Sequence, residues 1–108
     1  MANTFKLKTK ANVGVTTTAV YVAPGSTTTV VIGITASNIS GNNINVGIGI
    51  TRAAADDIHL MKNVPIPQGS SFEFMQGNKI VLETTDTITA KSDVNNSLDV
   101  ALTIMEIT

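Results

Sequence analysis

Apolar and polar residues alternate along most of this chain with a period of two. That period sends successive side chains to opposite faces of an extended strand. In "FKLKTK" (5–10), Phe5 and Leu7 point one way while Lys6, Lys8 and Lys10 point the other. In "TVVIGITAS" (29–37), the pattern places Val30, Ile32, Ile34 and Ala36 on one buried face. In "INVGIGITR" (44–52), the row is Ile44, Val46, Ile48 and Ile50. Shorter rows pair Ile58 with Leu60, Phe72 with Phe74, and Ile80 with Leu82. A final long row runs through Leu98, Val100, Leu102 and Ile104. Val, Ile and Thr dominate these segments, and their branching at Cβ favours strands.

Turn chemistry separates the rows. Pro24 and Gly25 in "APGS" suit a type II turn. "SGNN" (40–43) reads as a hairpin loop between two long strands. "AAADD", "PIPQGS", "QGN" and "DVNN" supply the remaining breaks. "RAAADDIHLMKN" lacks a clean helical stripe and reads as a hairpin tip, with room for a short helical turn. Breaks at this spacing predict an all-β fold: an antiparallel β-sandwich, jelly-roll or Greek-key-like, of about eight strands. At 108 residues the chain forms a single domain spanning 1–108, with 1–10 as a basic N-terminal arm or an edge strand.

Composition narrows the function. The chain is 43% hydrophobic and 14% charged, too apolar for a disordered chain. Such low charge suggests surface covered by neighbours, although threonine-rich polarity could also keep the chain soluble. Net charge is −1, so no basic field draws nucleic acid. There is no Trp and one Tyr, which leaves few platforms for stacking bases or sugars. There is no cysteine, which excludes disulfides and thiolate metal sites. No apolar run reaches the ~20 residues of a membrane helix. The polar, basic start has no apolar segment behind it, so no secretory signal is expected.

Candidate chemistry is sparse. Gly47 and Gly49 lie inside an alternating strand with no helix after it, so they are not a phosphate loop. Glycine in a strand marks a bulge or a close approach by another surface. Two readings remain open: a local twist, or a flat strip where a neighbouring subunit packs. Gly33 also lies opposite its strand's apolar row; if the two strands pair, the three glycines share one shallow groove. Asp57 and His59 share a strand face near Asp56, but two ligands are too few for a metal site. His59 is the sole imidazole base. Glu73, Glu83, Asp86, Asp93, Asp99 and Glu106 are scattered along polar strand faces. No enzyme, cofactor or metal is therefore expected. Phe5 and Leu7, with Lys6, Lys8 and Lys10, form either a solvated strand or an arm that docks on a partner, its lysines meeting acidic groups there.

Several segments taken in order carry a resemblance. They are "VGVTTTAVYVAPGSTTTVVIGITASNISG", "VGIGITR", "HLMKNVPIPQGSSFEFMQGNKIVLETTDTITAKSD" and "LDVALTIMEIT". Together they resemble a family of small tailed-phage virion proteins, common in marine and cyanobacterial phages. The pattern falls here on Val20, Tyr21, Pro24, Asn38, Gly41, Pro65, Pro67, Gly69, Ile80, Leu82, Asp86, Glu106 and Ile107. One departure is "TTD" (84–86), where the pattern often has Gly before the acid; it bears on the turn type. The resemblance implies a β-sandwich particle component with no catalytic residues. The expected protein is a capsid decoration or cement protein, made in the host bacterial cytoplasm and located in the virion. Its expected partners are itself, as a trimer, and the major capsid protein or other virion proteins; nucleic acid and membranes are not among them. A neck, tail or fibre-attachment ring component is the alternative. A carbohydrate-binding adhesion module is the third, disfavoured by the missing Trp. Candidate interface residues are Phe5, Lys6, Leu7, Lys8, Lys10, Gly33, Gly47 and Gly49.

Overall fold

The computed structural model of the chain describes residues 3–52, 57–74 and 79–108. Nine strands are present among them: β1 (Asn3–Val13), β2 (Thr18–Val22), β3 (Thr28–Asn38), β4 (Ile44–Thr51), β5 (Ile58–Ile66), β6 (Ser71–Phe74), β7 (Ile80–Leu82), β8 (Thr87–Ser92) and β9 (Leu98–Ile107). One sheet has the order β1-β9-β3-β6, with β7 also on β3; the other has the order β2-β8-β4-β5. Every pairing is antiparallel. The pairs β1/β9, β2/β8, β3/β6 with β7, and β4/β5 nest like a long hairpin folded across two layers. That wrapping is a jelly roll, with its sixth strand split into β6 and β7.

The core lies between the sheets. From β9 it takes Leu98, Val100, Leu102 and Ile104; from β4 it takes Ile44, Val46, Ile48 and Ile50. These two rows match the sequence alternation residue for residue. Fully burying an Ile or Leu contributes about 1.5–3 kcal/mol, so they anchor one layer to the other.

Four readings need correction. Register slips between Val31 and Gly33 where β3 pairs with β9. The extra residue reverses the alternation, so Val31 is buried with Ile34 and Ala36, while Val30 and Ile32 are only half-buried. "SGNN" is not a hairpin loop, because β3 and β4 belong to different sheets. It is the crossing between layers, held by buried Asn38. The Asn38 amide donates to the carbonyls of Asn42 (2.7 Å) and Ile66 (3.0 Å), and its Oδ1 accepts from the Ser40 N–H and hydroxyl. Positive φ near "APGS" falls on Ser26 (55°), one residue beyond the Gly25 that a type II turn at Pro24 requires. Finally, β5 carries two register shifts against β4. These bury Met61 and leave Ile58 exposed and Leu60 half-buried. The tip at 53–56 and the break at 76–78 lie outside the described residues.

Candidate functional site

The sandwich has two outer faces, and strand register fixes what each presents. On the five-stranded sheet, Phe5 pairs with Met105, Met105 with Val30, and Val30 with Val81. Directly paired residues share a face, so these four form one row across β1, β9, β3 and β7. It lies on the outer side, because the neighbours Ile104, Val31 and Leu82 point into the core. Phe5 is 70% exposed and Val81 is 59% exposed, while Met105 and Val30 sit lower between them. The next row runs Leu7–Thr103–Gly33, with Leu7 66% exposed. A side chain built on Gly33 would meet nothing within 4 Å, so packing does not demand glycine there. The third row is Thr9–Ala101–Thr35, with Glu73 beside Thr35 at the sheet margin. Here the surface sinks into a hollow of about 310 Å³ whose lining includes Thr9, Lys10, Thr35, Ser37, Asp99 and Ala101. One face thus carries an apolar ridge at one end and a shallow hollow at the other, with no charge in the first two rows.

The four-stranded sheet presents different chemistry. Its outer row Ala19–Thr89–Gly49–His59 crosses β2, β8, β4 and β5, with Gly47 paired to Lys91 alongside. A cleft of about 430 Å³ lies here, floored by Gly47 and Gly49 and rimmed by Asn45, His59, Lys62, Thr89, Lys91 and Asp93. The two glycines are not equivalent. A Cβ on Gly49 would sit 2.8 Å from the Ile58 carbonyl oxygen, so the close approach of β5 requires glycine there. A Cβ on Gly47 would stand 3.5 Å from the Met61 carbonyl, an ordinary contact. The bulges in β5, with Asn63 at φ 52°, shape this wall.

A buried polar corner joins the two sheets. Glu106 continues the inward row of β9 and is only 7% exposed. The Tyr21 hydroxyl, brought inward by a register shift in β2, donates to Glu106 Oε2 at 2.6 Å. Its oxygen lies 2.8 Å from the Thr29 hydroxyl. With the phenol proton on Glu106, Thr29 is left to donate. Lys6 Nζ reaches Glu106 Oε1 at 2.8 Å from the open side. Burial pushes the Tyr21 hydroxyl up to about 12, aided by its bond to Glu106. The Lys6 ammonium, then the Tyr21 hydroxyl, hold the Glu106 carboxyl below the usual carboxylate range. Among the described residues, no buried side-chain polar atom lacks a partner.

These placements rearrange the candidates read from sequence. Phe5, Leu7 and Gly33 come together on one outer face. Lys6, Lys8 and Lys10 occupy the opposite side of β1, in register with core residues Ile104, Leu102 and Val100. Lys6 meets an acid of its own chain, and β1 is a paired edge strand where an arm was one expectation. Inward-pointing charge on an edge also discourages stray strand pairing. Gly33 shares no groove with Gly47 and Gly49, because β3 and β4 lie in different sheets. Glu106 and Asp86 are not on polar strand faces; both are buried. Asp86 accepts from Arg52 Nε at 3.2 Å and from the Glu83 N–H at 3.0 Å. Asp57 and His59 both line the cleft, and Asp57 is tied to the Arg52 N–H at 3.1 Å; Asp56 lies outside the described residues. No group of three or more His, Cys, Asp or Glu suited to a metal occurs among the described residues. Sequence reading missed Val30, Val81 and Met105 as surface residues. For Met105 the signal was present, since it falls out of phase with the inward row of β9.

No protein-family model and no curated protein matches this chain. A solved structure does match in fold. It is a chain from Bacillus endospore appendages, described as a novel family of disulfide-linked pili. The TM-score is 0.60 at 13% identity, over 99% of this chain and 87% of that one. The two chains are alike in fold. The disulfides of that pilus have no counterpart here, because this chain has no cysteine.

Proposed function

We propose that this chain is a non-enzymatic structural subunit of a tailed-phage virion, a capsid decoration or cement protein that acts by binding alone. The observation that carries the reading is the contrast between the two outer faces. A subunit that joins copies of itself and also a larger shell needs two docking surfaces of different character. This sandwich offers a charge-free apolar ridge on one side and a glycine-floored polar cleft on the other. Apolar, weakly charged surface is what interface centres use, with polar groups at their rims. The ordered sequence resemblance supports the virion setting. The pilus likeness is in keeping with a β-sandwich that serves as a building block, and the missing cysteine favours non-covalent association.

Counting copies of the chain in purified particles tests this. Hundreds of copies, set against the major capsid protein by quantitative mass spectrometry, support a shell coat. About a dozen or fewer support the second reading, a neck or tail ring, in keeping with closed symmetric oligomers. Absence from washed particles overturns both.

A further inference from the structure

We infer that the outer face of the five-stranded sheet docks a second copy of this chain, face to face about a two-fold axis running across the strands. The inference rests on the docking reading above and names the partner for one of its two surfaces.

The argument begins with rows. Phe5–Met105–Val30–Val81 stands one register step to one side of Leu7–Thr103–Gly33, and Thr9–Ala101–Thr35 stands one step to the other. The first row protrudes at Phe5; the hollow of about 310 Å³ begins at the third row and runs on past it to Ser37 and Asp99. A two-fold axis along the middle row exchanges the outer two. The ridge of each copy then enters the hollow of its mate, and the middle row lies over its own image. Knob and hollow on the same face, on opposite sides of a common line, give that face the self-complementarity that a two-fold interface needs.

Gly33 sits on that line. Its backbone is not in the left-handed region, and a Cβ there would meet nothing within 4 Å. Glycine in a strand weakens it, and here it follows the bulge at Ile32. No contact within the chain requires it, and a second backbone close overhead would favour it too. Glu73 stands at the margin of the face, where interfaces keep their charge. Three strand spacings by ten residues cover about 14 by 33 Å, roughly 460 Å² per copy in projection. That is below the ~800 Å² per partner of a standard interface and falls in the range of weak, reversible association. Face-to-face stacking closes after two copies, so the unit of association is a dimer, alone or within a larger ring, in place of the trimer expected from sequence.

Sedimentation of the full-length chain tests the inference. The wild type is expected to run as a dimer, and Gly33→Glu as a folded monomer. A charge in the centre of the apolar face raises the dissociation constant at least about 100-fold. Leu7→Lys, at an exposed position of the same row, is expected to do the same, so the test does not hang on one variant. Because the chain has no cysteine, Thr103→Cys gives a single thiol near the axis. Stacked sheets stand about 10 Å apart, beyond direct disulfide reach, so a short bismaleimide should link two copies while air oxidation should not. A wild-type monomer at every concentration overturns the inference, as does an oligomer indifferent to both charge variants. A monomer that Gly33→Glu strips from particles also overturns it, giving the face to a virion partner and leaving the docking reading intact. A Gly33-sensitive dimer absent from every particle does the reverse: the pairing stands and the virion reading falls.

Discussion

The two sheets draw on the same threonine- and isoleucine-rich alphabet yet turn different surfaces outward. On the five-stranded sheet, the single bulge in β3 shifts Val30 out of the core row and extends an apolar line from Phe5 to Val81. On the four-stranded sheet, two shifts in β5 bring its backbone close over Gly49 and raise a polar wall beside Gly47. Displacement by one residue thus exposes hydrocarbon on one side and encloses a cleft on the other. Small register changes, more than composition, set the surface chemistry of this fold.

Glycine substitutions are the sharpest way to break that contrast. Gly49→Val is expected to cost about 3 kcal/mol or more, because its Cβ would stand 2.8 Å from a backbone oxygen that can move only by lifting β5. Urea unfolding measures it; a loss under 1 kcal/mol would mean that β5 does not close on β4 as described.

The polar corner comes next. Glu106→Ala leaves the buried Tyr21 hydroxyl without its acceptor and is expected to cost about 2–3 kcal/mol. Lys6→Ala should cost under about 1 kcal/mol, because the Lys6 side chain is 42% exposed and solvent screens the pair. The same corner sets pH limits. The folded-state pKa of Glu106 is depressed, so its contribution is present above the ordinary carboxylate value of 4.5 and lost as pH falls through the folded value. The Tyr21 pKa is raised, so its contribution is full below 10 and lost as pH climbs towards about 12. Thermal melts of wild type and Tyr21→Phe across both ranges check this: the variant should show a flatter alkaline limb.

Two smaller effects complete the series. Gly47→Ala and Gly33→Ala should leave stability unchanged or raise it by about 0.5–1 kcal/mol, since neither new methyl clashes. Equal losses at positions 33, 47 and 49 would erase the distinction between glycines kept for packing and glycines kept for an outside surface. Thr85 holds φ 70°, a conformation that costs a β-branched residue about 1–2 kcal/mol. Thr85→Gly should raise the melting temperature slightly, the gain being reduced by the greater freedom of glycine in the unfolded chain.

Much of this architecture was legible beforehand. The inward rows of β4 and β9 follow from alternation alone, because neither strand holds an extra residue within its row. The jelly-roll wrapping was not legible, since period two says which face a residue takes and nothing about which strand lies beside it. Bulges are equally silent: no local residue type announces that Ile32 is extra, and that one residue carried Val30 from the expected core to the surface. Glu106 was misplaced for a related reason. An acid at an inward position reads as an error in the pattern until Tyr21, 85 residues away in sequence, supplies its partner. The turn at "TTD" was also open from sequence, and Thr85 takes the left-handed region there.

The position of β9 governs when the five-stranded sheet can form. It lies between β1 and β3, so those two strands have no bridge until the ten-residue β9 follows them. Contacts this distant in sequence close slowly. Without β9 the ridge lacks Met105 and the hollow lacks Ala101. A chain truncated ahead of β9 therefore builds neither outer feature of the five-stranded sheet.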